Sequence, residues 1–217
     1  MARLARIDEE MWAEVDLGPT ASPDGIWDEL GALRDGLARV VVLHGAPGWE
    51  PSPEWLRRFE LFLLPTVFAF EGEIAGPAVS VALHCDIRVC GEGAVLRLAE
   101  LGGRRMLQLL GPQRTVEVFE AQGRIGAAQA LTLGLVSEVA PVGGALAAAR
   151  RLAGVIASRG PIAVQLGKEA IWRGLEMPLA QALRFETDLT LLLQTTKDRA
   201  EGVAAFQEKR PPRFTGD

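Results

Sequence analysis

Long apolar runs, excess basic charge and cysteine are all scarce in this sequence of 217 residues. No run of about 18 apolar residues occurs, so no membrane-spanning helix and no membrane partner are expected. The formal net charge is -5, from 23 basic and 28 acidic residues, which argues against a nucleic-acid partner. The two cysteines, Cys85 and Cys90, form a single CxxxxC pair, which is weak evidence for a metal site or a disulfide. We expect both to be buried free thiols.

No export signal is expected from this sequence, and no low-complexity segment is seen in it. The stretch MARLARIDEEMWAEVDL at residues 1–17 is charged and has no apolar core of the kind found in secretory signals, which makes the cytoplasm the expected compartment. Hydrophobic residues make up 48% of the chain and charged residues 24%, as in ordinary globular proteins. The length suits one domain with a substantial core.

Strand and helix patterns alternate through the first half of the chain. Continuous apolar runs that are rich in β-branched residues indicate strands buried on both faces, and periodic apolar residues indicate helices between them. The predicted strands are 11–17, 39–45, 66–72, 86–90 and 135–141. The predicted helices are 25–38, 54–64, 77–85, 104–111, 112–122, 126–134, 143–158, 161–176 and 178–208. This order predicts a largely parallel sheet with right-handed crossovers, followed by a helical last third.

Four stretches in a fixed order resemble the crotonase (enoyl-CoA hydratase/isomerase) superfamily. They are ARVVVLHG at 38–45, LLPTVFAFEGEIAG with ALHCDIRV at 63–89, GRIGAAQALTLGLVSEVAP at 123–141 and EGVAAFQEKRPPRFTG at 201–216. The resemblance implies an α/β fold built as a crotonase-like spiral of ββα turns over residues 1–142. It also implies a helical C-terminal trimerisation region over 143–217, the two parts forming one continuous fold.

The resemblance further implies chemistry on an acyl thioester, of coenzyme A or a carrier protein, without a separate cofactor or metal. In the family, two backbone N–H groups polarise the thioester carbonyl. The donor glycine of that loop falls on Pro77, between Gly76 and Ala78, and proline has no N–H to donate. A shift of one residue would bring the amide of Ala78 into play. The first catalytic glutamate of the hydratases falls on Ser80, whose hydroxyl cannot replace a carboxylate base.

The second family glutamate falls on Glu100, which makes this residue the best candidate for proton transfer in the chain. The segment after it is shorter than in the family, which suggests an open or reshaped acyl pocket. Arg104 and Arg105 in that segment are either solvated or available to a phosphate or a carrier protein. Phe206 and Lys209 match family positions that contact the nucleotide part of coenzyme A, often from a neighbouring subunit.

The loop HGAPGWEPSPEWL lacks the family's usual sequence for the other backbone donor. Trp49 or Glu50 could donate an N–H there, although packing is the expected role of the Trp49 side chain. His44 ends the preceding strand, where a side chain can reach the mouth of the predicted pocket and act as a base. His84 lies on a packed helix, where a structural histidine is expected.

Two functions remain open from these residues. One is a single-glutamate enzyme of hydratase/isomerase type, acting as an isomerase, dehydratase or decarboxylase, with polyketide-type biosynthesis as a setting. The other is a catalytically eroded crotonase-fold protein that supports another biosynthetic enzyme. Self-association as a trimer or hexamer is expected in either case.

Overall fold

The architecture is that of an α/β protein with two sheets and a helical C-terminal region. A computed structural model describes residues 11–98, 103–120 and 123–217. The described strands are β1 Trp12–Asp16, β2 Val40–His44, β3 Thr66–Phe70, β4 Glu73–Ile74, β5 Ile87–Gly91, β6 Val95–Arg97, β7 Arg124–Gly126 and β8 Glu138–Ala140. The described helices are α1 Pro23–Arg34, α2 Pro53–Glu60, α3 Gly76–His84, α4 Gly103–Glu120, α5 Ala127–Leu133, α6 Ala145–Ala157, α7 Pro161–Gly174, α8 Leu179–Gln194 and α9 Lys197–Glu208.

The larger sheet has five parallel strands in the order β1-β2-β3-β5-β8. Strand β2 is buried along Val40–Leu43 and β3 along its whole length, because helices cover both faces of the sheet. One face packs in a core with Leu30, Phe59 and Leu83 of α1, α2 and α3. The other face packs on the alanines of α6, whose small side chains allow close approach of the helix. The predicted parallel sheet is therefore confirmed.

The smaller sheet was not predicted from the sequence. Strand β4 pairs parallel with β6, and β6 pairs antiparallel with β7. These strands have two or three residues each, too few to establish an alternating pattern. Their pairing is set by contacts between segments that are distant in sequence.

Local signals fix several helix ends. Ser22 and Ser52 each accept a hydrogen bond from a first-turn amide, and each is followed by proline at the first helical position. Gly134 ends α5 in the left-handed conformation, as its position predicts. The single helix predicted over 178–208 is wrong: it divides at Thr195–Thr196, where the Thr196 hydroxyl caps α9 by accepting from the Arg199 amide.

A buried polar cluster fastens α7 to the sheet. Asp86, just before β5, accepts hydrogen bonds from the amide and hydroxyl of Thr66 in β3. It also accepts from Lys168 Nζ and Trp172 Nε1 of α7, each at 2.7 Å. The Lys168 and Asp86 side chains are only 9% and 17% exposed. One carboxylate therefore joins two strands to the C-terminal helices.

None of the helices in the described ranges is both long and apolar enough to cross a membrane.

Candidate functional site

A cleft of about 620 Å³ opens between α2, α3 and the start of α4. Helix α3, which begins at Gly76, contributes Ser80 and His84 to its wall. The predicted residues Gly76, Pro77 and Ala78, in the first turn of this helix, are not among the described lining residues. Its described lining combines charged and apolar side chains: Glu50, Pro53, Glu54, Leu56, Arg57, Glu60, Ser80, His84, Arg104, Arg105 and Gln108. Such a mixture can hold a ligand that has both an apolar chain and polar groups.

The first turn of α3 carries the backbone groups expected to meet a carbonyl oxygen. Gly76 has a φ of +49°, a conformation that favours glycine. The N-cap residue Ala75 makes no side-chain cap, and the first N–H groups of a helix have no acceptor inside it. Pro77 removes one of these donors. The amide of Ala78 is the next candidate donor in the same turn.

Ser80 and His84 lie one turn apart on the α3 wall of the cleft. The Nδ1 atom of His84 lies 2.7 Å from the carbonyl oxygen of Ser80. A carbonyl only accepts, so Nδ1 carries the proton and Nε2 is the unprotonated nitrogen of the neutral ring. Burial lowers the pKa of His84 to about 4, and the positive charges of Arg105 and Arg88 act in the same direction. His84 is therefore a neutral wall residue at physiological pH.

The low pKa of His84 predicts a loss of stability in mild acid. Between pH 6.5 and 4 the unfolded chain protonates this histidine while the folded chain does not, so the free energy of unfolding falls as pH falls. The slope from this one group is about 1.4 kcal/mol per pH unit at most. Urea denaturation of the wild type and His84→Gln across this range should show a shallower pH dependence in the variant. Equal slopes would contradict the assignment.

Glu60 and Arg105 form a buried ion pair on the opposite wall, which sequence reasoning did not find. Arg105 Nη1 donates to Glu60 Oε1 at 2.6 Å, and the two side chains are 7% and 14% exposed, arginine first. Arg105 Nε also donates to the Leu83 carbonyl at 2.7 Å, and its guanidinium lies 4.5 Å from the Trp172 ring centroid. The expectation that Arg105 is solvated or available to a phosphate is wrong, because it is buried against Glu60. Their contact has no local signal, since α2, α4 and α7 meet only in the folded chain.

The rim of the cleft is held by a second group of charges. Glu176 accepts two hydrogen bonds from Arg57, at 2.6 and 2.7 Å, and a third from Arg104 at 3.1 Å. The hydrogen bond from Arg57 lowers the pKa of Glu176, and the charge of Arg104 adds to the effect. Two arginines of the cleft thus share one carboxylate from the turn after α7.

Two residues expected at the pocket mouth have other neighbours. His44 ends β2 as predicted, but its Nε2 lies 3.1 Å from Glu14 Oε1 and its Nδ1 lies 3.7 Å from Asp16 Oδ1. It is not among the described residues that line the cleft. Trp49 is half-buried and packs edge-on against Trp55 with ring centroids 5.0 Å apart. Its neighbour Glu50 does line the cleft.

The C-terminal candidates lie on a separate surface. Phe206 is 86% exposed and borders an apolar groove of about 500 Å³ together with Leu193, Val203 and Phe214. Lys209 ends α9 in the left-handed conformation and is exposed. Glu100 lies outside the described residues, so its position relative to the cleft is a prediction from the sequence alone.

Comparison with known proteins supports the resemblance found in the sequence. A family model described as enoyl-CoA hydratase/isomerase matches residues 37–217. The chain is 34% identical over 176 residues to the 2,3-dehydroadipyl-CoA hydratase of Escherichia coli, covering 77% of this chain and 69% of that protein. It is 37% identical over 169 residues to the mitochondrial enoyl-CoA hydratase domain-containing protein 2 of Bos taurus, covering 72% of this chain. That alignment spans 57% of the length of the bovine protein.

Solved structures agree over the whole chain. The crystal structure of an enoyl-CoA hydratase from Bacillus anthracis is 27% identical, with a TM-score of 0.85, and the match covers 100% of this chain and 99% of that one. An enoyl-CoA hydratase from Geobacillus kaustophilus is 28% identical, with a TM-score of 0.84 and coverage of 100% and 98%. With its spiral core, its helical C-terminal region and a family match over residues 37–217, the chain belongs to the enoyl-CoA hydratase/isomerase family and has the crotonase fold.

Proposed function

We propose that the protein is an acyl-thioester enzyme of hydratase/isomerase type, acting on an acyl group carried by coenzyme A or a carrier protein. The observation that carries this proposal is the uncapped first turn of α3, which adjoins Ser80 in the wall of the cleft. A thioester oxygen placed there would meet the Ala78 amide, with a second donor from the Trp49–Glu50 loop. Such donors are preorganised for the negative charge of an enolate.

Glu100 is the residue we assign to proton transfer. In a double-bond shift it would take a proton from the carbon next to the thioester, or from the carbon beyond the double bond, and return it at the other end. The enolate formed between these steps carries its charge on the thioester oxygen, beside the α3 turn. One carboxylate is enough for this isomerisation, because the same group removes and returns the proton.

The test is turnover of crotonyl-CoA, for hydration, and of a 3-enoyl-CoA, for double-bond shift, with Glu100→Gln as the paired variant. We expect activity that falls by about 10²–10⁴-fold in Glu100→Gln, the range typical of a general acid–base group. Thermal denaturation of both proteins checks that the variant is folded. A wild type that binds neither thioester and turns over neither would contradict the proposal.

We also propose self-association through the C-terminal helices, as a trimer or a dimer of trimers. Large apolar side chains on α7, α8 and α9 are exposed in the single chain: Ile171, Leu179, Leu191 and Phe206. Burial of such side chains is strongly favourable, which supports an interface here. In this arrangement Phe206 and Lys209 would lie where a neighbouring subunit's coenzyme A could reach them.

A second candidate function is supported by Pro77 and Ser80. Pro77 has no backbone N–H, at the position where the resemblance places a donor glycine. Ser80 has no carboxylate, at the position where it places a glutamate of the hydratases. A non-catalytic partner of a biosynthetic enzyme, for example in polyketide-type synthesis, would have no need of either. Binding of an acyl thioester or carrier protein without turnover would favour this candidate.

A further inference from the structure

Glu60 differs from the other described carboxylates that line the cleft. Glu50 and Glu54 are exposed, whereas the Glu60 side chain is only 14% exposed, at the C-terminal end of α2. Its position is defined by packing, because Phe59 beside it is fully buried in the core. A carboxylate this shielded from solvent that still lines a cleft is a candidate for a functional group.

Arg105 fixes this carboxylate and leaves one of its oxygens available. The 2.6 Å hydrogen bond from Arg105 uses Oε1 of Glu60. Arg105 is itself held by the Leu83 carbonyl and by the Trp172 ring, so the pair has little freedom to move. Among the described residues no donor reaches Oε2 of Glu60. The side chain therefore has one anchored oxygen and one that can accept a proton.

The α3 wall of the cleft, opposite Glu60, provides no carboxylate base among the described residues. Ser80 stands where the family resemblance places a glutamate, and its short side chain leaves the cleft between α3 and α2 without a carboxylate from α3. His84 is held to the Ser80 carbonyl and stays neutral, so it does not compete as an acid at physiological pH. Burial raises the pKa of Glu60 above its ordinary value, against the opposing charge of Arg105, which makes its carboxylate a stronger base.

We propose that Glu60, the last residue of α2, is the base that activates water in this cleft. It is held by Arg105 and takes the place of the carboxylate missing at Ser80. The inference rests on the proposed function and deepens it, because it adds hydration of an enoyl thioester to the isomerisation that Glu100 alone supports. Glu60 would be a catalytic residue, since its carboxylate contacts the attacking water.

The step balances with water as the only co-reactant. The water oxygen bonds to the β-carbon as its proton passes to Glu60, and the double-bond electrons move to form the enolate. Protonated Glu100 then gives its proton to the α-carbon and restores the thioester carbonyl. Glu60 loses its proton to solvent and Glu100 regains one, so that H and OH are added across the double bond.

The experiment compares two reactions in one variant. In Glu60→Gln we expect hydration of crotonyl-CoA to fall by about 10²-fold or more, whereas isomerisation of a 3-enoyl-CoA stays within threefold of wild type. The matched control is Glu29→Gln: Glu29 is a buried carboxylate of α1 whose pKa is likewise raised by burial, and it does not line the cleft. Both reactions should be unchanged in this control.

Introducing Ser80→Glu into Glu60→Gln should restore part of the hydration, at least tenfold. Equal losses in both reactions of Glu60→Gln, or retention of hydration, would overturn the inference and make Glu60 a structural counter-ion of Arg105. If Glu60→Gln does not fold, Glu60→Asp replaces it: it keeps the charge opposite Arg105 but withdraws the carboxylate by one methylene. Hydration should then fall at least tenfold more than isomerisation, and equal effects on both reactions would overturn the inference. A wild type that catalyses neither reaction would instead contradict the proposed function.

Discussion

Replacing Pro77 with alanine is expected to raise the kcat for enoyl-thioester turnover by about 10²-fold, since one preorganised oxyanion donor contributes about 10²–10³ in kcat. Pro77 is the second residue of α3, where the N–H of an alanine would have no acceptor within the helix. Alanine also fits the helical backbone at this position without the added freedom of glycine. The new N–H would lie at the position that the sequence resemblance assigns to the family's donor glycine.

The control for this substitution is Pro23→Ala. Pro23 also begins a helix, and it is not among the described residues that line the cleft. Both substitutions should lower stability slightly, by about 0.4–1 kcal/mol, because the unfolded chain gains freedom. Only Pro77→Ala should change kcat, measured with saturating crotonyl-CoA and 3-enoyl-CoA. An unchanged kcat would indicate that the Ala78 amide already serves as the donor.

The largest loss of stability is expected for Asp86→Ala, at about 3–5 kcal/mol. The substitution removes the acceptor for Thr66, Lys168 and Trp172 in one step. The Lys168 ammonium, 9% exposed, is then left as a buried charge without its carboxylate. Removal of one partner of a buried pair costs more than the pair contributes in net terms, because the remaining charge stays desolvated.

Urea denaturation measures this loss as a change in midpoint at constant slope. Glu138→Ala is the matched control, because Glu138 bonds to Arg151 in an exposed pair, with side chains 37% and 61% exposed. Exposed pairs contribute about 0–1 kcal/mol. A loss for Asp86→Ala as small as that for Glu138→Ala would mean that the Leu64 carbonyl, which already accepts from Lys168 Nζ at 3.0 Å, is enough together with water to hold the ammonium.

The parts of the fold that the sequence predicts are those with strong local patterns. Strand β2 follows from the run VVVL, which is apolar on both faces, and the end of α5 follows from Gly134. The small sheet cannot be found in this way, because a three-residue strand such as β6 acquires its partners only from the chain around it. The division between α8 and α9 did have a signal, since Thr196 precedes Asp198 in a helix-capping pattern.

The candidate site also contains residues that a local sequence pattern predicts and residues that only long-range packing brings together. Gly76, Pro77 and Ser80 lie on one continuous segment, so a resemblance in sequence is enough to place them beside one another. Glu60 and Arg105 are 45 positions apart and meet through packing alone. For His44, the sequence predicted its place at the end of a strand but not its neighbours. The carboxylates of β1 determine which groups its ring contacts.

Trp172 makes two contacts that no single smaller side chain can replace. Its indole N–H donates to Asp86 and its ring faces the guanidinium of Arg105. Phenylalanine would keep the ring and lose the donor, whereas glutamine would keep a donor and lose the ring. Substitutions at this position are therefore expected to be poorly tolerated as the sequence diverges, although it lies on the helix α7 and outside the described lining of the cleft.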